Sequence, residues 1–322
     1  MMRSSILSQF LKQQKFPKKF STSSSNFSTS NFSTTTSSSI DKPKFRYLSA
    51  WFCPFAHRAT LALEHHASKV DYEWIEALGW EQRKDEHNVT GTGQEWWYHW
   101  KADELKRVNP SALVPTLIQV DTSTGESNED QVVFESLVTI DFVDHVSGAT
   151  GEECLVPSDP YEAARCRVWA DKVNRDLCSP YYGVLVRKEE HERMDHFQTL
   201  IKGLESFSNE LKKTEGPTFL ANSQLSNVDM ALIPWAFRYY VFEHYRGEEY
   251  VITPERYPHL EPYFEWYDYV MNVESVQRTL PDKDRYLEHI GKYADSSARS
   301  KVANAVRRGV AAHELDDEKD EY

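Results

Sequence analysis

Cys53 is followed directly by Pro54, and the pair stands where an alternating aromatic stretch over residues 44–52 gives way to a helical pattern. Proline suits the first position of a helix, where its missing N–H is one the helix leaves unused. A cysteine just ahead of it faces unpaired backbone N–H groups and the positive end of the helix dipole, a setting that lowers a thiol pKa from about 8.5 toward roughly 3.5–7.5. The spacing therefore predicts a nucleophilic thiolate at Cys53. Three residues on, where a dithiol redox protein carries its second cysteine, stands Ala56, followed by His57. A lone thiol has no local partner to resolve an intermediate. The second thiol must come from outside, and a small abundant one such as glutathione is the natural candidate.

Such a thiol needs a strand before it and a helix behind it, and the surrounding chain reads that way. Ala56, Ala59, Leu63 and Ala67 share one helical face, with Arg58 and Glu64 on others, which predicts a helix over 54–67; residues 70–75 read as a second strand. Residues 79–110 are polar and Trp-rich, with Gly91 and Gly93 in the middle, and predict a long irregular loop closed by an amphipathic helix over 96–105. Strands at 113–118 and 131–134 flank a hairpin around Gly125, and Leu137, Ile140 and Val143 begin another helix. The result is a compact four-stranded mixed sheet with helices on both faces, an α/β domain over 44–148. A linker at 157–160 leads into a nearly all-helical domain over 158–293, within which Ser226 and Asp229 have the spacing of a capping box. Residues 294–322 complete the chain with a helix and an acidic tail.

With 322 residues the chain has room for about two domains with a sizeable core. A net charge of −13 disfavours nucleic acid and anionic lipid as partners. No apolar run approaches the ~20 residues of a membrane helix, so no stable membrane span is expected. The 4 cysteines form no disulfide framework and fit a reducing compartment. Residues 1–40 differ from all that follows, carrying Arg3, Lys12, Lys15, Lys18 and Lys19 but no Asp or Glu, with a Ser/Thr tract behind. This composition predicts a mitochondrial presequence, with a plastid address or a Ser-rich tail on a cytoplasmic protein as alternatives.

Other chemistries fare less well. His191 and His196 are five residues apart, which separates them by about 140° on a helix, so no metal site is expected. Gly91-Thr92-Gly93 lacks the third glycine and the strand-to-helix context of a nucleotide loop. Asn88-Val89-Thr90 is a formal glycosylation sequon without a secretory signal.

Phe52-Cys53-Pro54-Phe55-Ala56-His57-Arg58, Leu113-Val114-Pro115, Phe134-Glu135-Ser136, Leu225-Ser226-Asn227-Val228-Asp229 and Ile233-Pro234-Trp235 occur in an order that resembles cysteine-type glutathione transferases, the omega class above all. The resemblance covers residues 44–285 and implies a thioredoxin-like glutathione-binding domain followed by a helical bundle, a homodimer, and glutathione as co-substrate with no metal. It implies that Cys53 is catalytic, that the backbone of Val114 pairs with the glutathione cysteinyl unit beside a cis Pro115, and that Glu135 and Ser136 hold the γ-glutamyl end. Tyr181, Tyr182, Trp235, Arg238 and Tyr239 are candidates for an aromatic second-substrate pocket. The sequence departs from the omega pattern in an insertion around 80–94 and in lacking a lysine ahead of Glu95, for which Lys101 is one possible substitute. His57 is instead similar to glutathionyl-hydroquinone reductases.

The function this implies is a glutathione-dependent thiol transferase or reductase acting on mixed disulfides, glutathionyl conjugates or dehydroascorbate. One alternative is conjugation of glutathione to small electrophiles, with Tyr47 or Ser49 stabilising the thiolate. Another is a non-enzymatic chloride-channel-like or scaffold protein of the same fold. Ala298, Val302, Ala305, Val306 and Val310 form an apolar stripe over 296–312. They predict a helix docked over the second-substrate pocket, leaving glutathione itself to the other domain.

Overall fold

The computed structural model describes residues 42–84 and 95–315. The expected presequence, the Asn88 sequon, Gly91-Thr92-Gly93 and the acidic end beyond 315 lie outside the described residues. The first domain is built on a four-stranded sheet in the order β2-β1-β5-β6, with β1 at Lys44–Ser49, β2 at Asp71–Glu76, β5 at Thr116–Val120 and β6 at Ser127–Phe134. β1 runs parallel to β2, with Tyr47 opposite Trp74, and antiparallel to β5, with Tyr47 opposite Leu117. β5 and β6 close the hairpin antiparallel.

Helix α1 (Pro54–His65) connects β1 to β2, α2 (Asp103–Val108) precedes β5, and α3 (Ser136–Val146) follows β6. Tyr47 donates to the carbonyl of Ala56 in α1 at 2.5 Å, and Phe45 meets Phe142 of α3 with ring centroids 5.6 Å apart. Between them in sequence, Arg46 pairs with Glu104 of α2 at 2.9 Å. Successive strand side chains point to opposite faces, so α1 and α3 cover one face of the sheet and α2 the other.

Residues 79–101 differ from the irregular loop expected of them. β3 (Leu78–Lys84) and β4 (Glu95–Lys101) form a second, antiparallel two-stranded sheet with Trp80 opposite His99. The expected helix over 96–105 is confined to α2. Trp96-Trp97-Tyr98-His99-Trp100 is aromatic throughout, and such side chains pack better on a pleated strand than around a helix. Gly79 sits opposite Trp100, where a Cβ would stand 2.4 Å from the indole nitrogen, so a larger residue would force the hairpin apart.

The helical domain begins with α4 (Pro160–Val173), whose first N–H groups are capped by Asp159. A π-helical turn, Asn174–Cys178, leads to α5 (Ser179–Val186), and α6 (Glu190–Leu211) returns along it. α7 (Asn227–Ala236) starts at the expected capping box: Ser226 accepts from the Asp229 N–H, and the Asp229 carboxylate accepts from the Ser226 N–H at 2.7 Å. Asp229 also accepts from the indole of Trp266 at 2.8 Å. Beyond lie α8 (Tyr240–Arg246), α9 (Glu261–Met271), α10 (Glu274–Gln277) and α11 (Lys283–Ala294). Trp235, Trp266, Phe197, Phe207 and Phe219 fill the core.

The last described segment returns to the first domain. Trp97 donates to the Ser297 carbonyl at 3.1 Å and accepts from the Arg299 N–H at 2.7 Å, so the chain bridges β4 at Ala298. The helix expected over 296–312 is shorter: α12 spans Lys301–Arg307, is capped by Ser300 and packs against α5. Among the described residues no helix is long and apolar enough to cross a membrane.

Candidate active site

The β1 to α1 junction sets the sulfur. Cys53 is the N-cap of α1 with extended backbone (φ −76°, ψ 117°), its N–H is tied to the Ala50 carbonyl at 3.0 Å, and Pro54 opens the helix. The thiol borders a cavity of about 500 Å³ between the two domains, within the usual size of small-molecule sites. Val114, Pro115, Glu135 and Ser136 line the same cavity, brought there from the β5 and β6 ends of the sheet. The Val114–Pro115 peptide bond is cis. Among the described lining residues Cys53 is the only cysteine; Cys178 and Cys166 are buried elsewhere.

Glu135 caps α3 at φ 72°, a left-handed conformation unfavourable for a residue with a Cβ and worth roughly 1–3 kcal/mol of strain. This twist keeps the Glu135 side chain exposed at the cavity while Ser136, one residue on, is buried at the start of α3. Ser136 Oγ accepts from Arg58 Nη1 at 3.0 Å, which leaves its own hydrogen to donate toward the cavity. A hydroxyl and the first N–H groups of a helix together suit a carboxylate, and Glu135 suits an ammonium.

Arg58 stands off the apolar face of α1, as its spacing predicts, and is nonetheless buried. Its guanidinium is fully buried, donating to the Ala231 carbonyl at 3.0 Å, to Ser136 and to Cys178 Sγ at 3.2 Å, and lying 4.3 Å above the Trp235 ring. It ties α1 and α3 to α7 and to the π-helical turn. His57 points away from the cavity: its Nδ1 accepts from Arg238 Nη1 at 3.1 Å, so Nε2 carries the proton given to Thr279 Oγ1 at 2.7 Å. Lys101, in β4, does not line the cavity either.

Cys53 departs from the depressed thiol expected at a helix start. Burial pushes the Cys53 thiol above its ordinary value, overcoming the N–H groups of Ala56 and Phe55 and the charges of Arg238 and Arg58, which all pull it down. The reason is the packing around it: Phe52, Phe55 and Tyr182 line the cavity beside the partly buried sulfur and reduce its contact with water.

Of the aromatic second-substrate candidates, Tyr182 lines the cavity, stacked parallel to Phe55. Tyr181, Trp235, Arg238 and Tyr239 are buried core and do not line it. Tyr181 pairs its hydroxyl with Tyr286, and Tyr239 stacks on Phe242. The far wall comes instead from residues the sequence reading passed over. Tyr286, His289, Ile290 and Tyr293 share one face of α11 at helical spacing, a signal that was present in the sequence. His99 reaches the cavity from β4, beside Trp80 and Phe52. Burial lowers His99 to about 3 and holds His289 well below its usual value, so both imidazoles are neutral at pH 7. The C-terminal segment also belongs to this wall: Ser300, Lys301, Val302, Ala312 and His313 line the cavity that holds Cys53 and Glu135. It does not cover a pocket confined to the helical domain.

Residues 52–146 match the model of the glutathione S-transferase N-terminal domain. The chain is 26% identical over 243 residues to a probable glutathione S-transferase of Nicotiana tabacum, covering 75% of this chain and 90% of the relative. It is 25% identical over 202 residues to one of Glycine max, covering 62% and 81%. Among solved structures it is similar to glutathione transferase Omega 3C from Trametes versicolor, with a TM-score of 0.59 and 24% identity over 80% of this chain and 92% of that one. Rice GST1, solved in complex with glutathione, superposes with a TM-score of 0.60 at 22% identity, over 80% and 99%. With an N-terminal thioredoxin-like domain and a C-terminal helical domain, the chain has the glutathione S-transferase fold and is an enzyme related to those transferases, carrying their N-terminal domain over residues 52–146.

Proposed function

We propose that the protein is a cysteine-type, glutathione-dependent thiol transferase. The observation that carries this reading is a lone cysteine at a helix N-terminus sharing one cavity with the cis Val114–Pro115 turn and with Glu135 and Ser136. Glutathione fits that set: its ammonium to Glu135, its γ-glutamyl carboxylate to Ser136 and the α3 N-terminus, its cysteinyl backbone to Val114. The Cys53 thiolate attacks the glutathionyl sulfur of a mixed disulfide, the S–S bond breaks, and the leaving thiolate takes a proton. A second glutathione, as thiolate, then attacks the glutathionyl sulfur on Cys53, restoring the enzyme and releasing glutathione disulfide. Glutathione is a co-substrate throughout.

The conjugation alternative loses its named residues, since Tyr47 and Ser49 are fully buried in the sheet and neither lines the cavity. The channel-like reading would have to free α1, whose Arg58 is anchored to both domains. Cys53→Ser should abolish glutathione-supported reduction of a mixed-disulfide substrate while leaving the circular dichroism spectrum unchanged. Retention of most activity would remove Cys53 from the mechanism. We further propose a homodimer, checked by light scattering, and a mitochondrial address in residues 1–40, checked by where those residues carry a fluorescent protein.

A further inference from the structure

Helix α11 presents two faces to the first domain. Tyr286, Ile290 and Tyr293 carry one of them to the Cys53 cavity. Arg285, Glu288, His289 and Lys292, spaced three and four residues apart, carry the other to a second space, an open groove of about 560 Å³. Its opposite bank comes from the first domain: Trp51 just ahead of Cys53, Glu76 at the end of β2, and Trp80 and Trp100 from the β3–β4 hairpin. Among the described residues only Phe52 and His289 border both spaces, and their rings are stacked with centroids 4.0 Å apart. This pair divides the groove from the cavity of the sulfur.

The groove offers flat aromatic surface and cations without anions. Trp100 lies over Gly79, whose missing side chain lets the indole settle against the hairpin backbone. Arg285 stands 3.8 Å above the Trp51 ring, so an indole and a guanidinium plane form one platform. Lys292 is half-buried; its Nζ lies 4.5 Å from the Trp97 ring and makes one long hydrogen bond, 3.4 Å, to the His289 carbonyl. Among the described residues neither cation forms an ion pair. Glu76 is committed elsewhere, accepting from the Trp51 N–H at 3.1 Å and the Trp74 indole at 3.2 Å. Burial lowers the Lys292 ammonium below its usual value, outweighing the attraction of Glu288 and Asp295. A bound anion would offset that lost hydration, and a flat ring would cover the indoles.

We infer that this groove is a second ligand site, separate from the Cys53 cavity, and that it takes a flat aromatic carboxylate, with the ring against Trp51 and Trp100 and the carboxylate on Lys292. The inference goes beyond the thiol-transfer reading and does not depend on it, since Arg285, Lys292, Trp51 and Trp100 all lie outside the Cys53 cavity.

The test is titration calorimetry at neutral pH with naphthoate and with naphthalenemethanol, which has the same rings and no charge. Wild type should bind one naphthoate at least about tenfold more tightly than the alcohol, as expected of a charged hydrogen bond. Lys292→Gln should lose that discrimination with its affinity for the alcohol nearly unchanged, and Lys292→Arg should retain most of it. Gly79→Ala, which would place a Cβ 2.4 Å from the Trp100 indole nitrogen, displaces one wall and should weaken both ligands together. Circular dichroism checks the fold of each variant. Wild type that binds neither ligand, or that does not distinguish them, overturns the inference. So does Lys292→Gln that keeps the discrimination. A discrimination lost in Lys301→Gln and kept in Lys292→Gln places naphthoate in the Cys53 cavity, and likewise overturns it.

Discussion

The structure gives the Cys53 thiol a direction of shift, and pH is the perturbation that reads it. Burial raises this thiol above its ordinary value, ahead of the two backbone N–H groups and two buried guanidiniums that oppose it. Only the thiolate reacts, so alkylation by iodoacetamide in the free enzyme measures the thiolate fraction directly. For an ordinary thiol with a pKa of about 8.5, the rate rises about 50-fold between pH 6.5 and 8.5; a raised value moves this toward 100-fold, and one depressed to about 6 gives less than twofold. The expected result at Cys53 is a rise of about 50-fold or more, still climbing at the upper end. Peptide mass spectrometry separates Cys53 from the partly exposed Cys154. A rate that levels off below neutral pH would refute the reasoning, and would mean that the helix terminus and Arg238 outweigh the aromatic wall.

Arg58→Met should weaken glutathione binding by about tenfold through the loss of the donor that orients Ser136, measured by calorimetry on protein whose fold is checked by circular dichroism. Asp229→Ala leaves the Ser226 N–H, the Trp266 indole and the Phe219 N–H without their buried acceptor and should destabilise the protein by about 3–5 kcal/mol in urea unfolding. In Asp144, burial raises the carboxyl but the bonds from His66 and the N–H groups of Leu155 and Val156 prevail and hold it below the usual range. Its contribution is therefore present above an unfolded value of about 3.9 and lost as pH falls through the folded one. The melting-temperature gap between wild type and Asp144→Asn should accordingly close as the solution is acidified below that value.

Most of the first domain was legible because its signals are local. Cys53-Pro54 marks a helix start by what proline cannot do, and Ser226 with Asp229 marks another by the reach of two short side chains. The stretch over 96–105 was misread because its polar and aromatic residues satisfy a helical period while their β-propensity favours a strand, and the partner at 78–84 that decides between them lies across a separate segment. A charged residue on a helix is usually solvated; what buries Arg58 is three acceptors, one each from α3, α7 and the π-helical turn, which no local pattern announces. The stripe over 296–312 fixes that a helix docks, and only the bridge between Ala298 and Trp97 fixes that it docks on the cavity of Cys53.

The Cys53 thiol shows why a correct local reading can still miss the balance that sets its charge. The helix terminus is there as the sequence requires, but its effect on a charge is about 0.3–1 kcal/mol, less than one unit of pKa. Taking a thiolate fully out of water shifts it by up to about 3–5 units in the opposite direction, and even the partial burial of Cys53 raises its thiol. The decision therefore belongs to Phe52, Phe55 and Tyr182, two of them neighbours in sequence and one from α5 of the other domain. The junction fixes where the sulfur stands. The packing of the two domains against each other fixes whether it is charged.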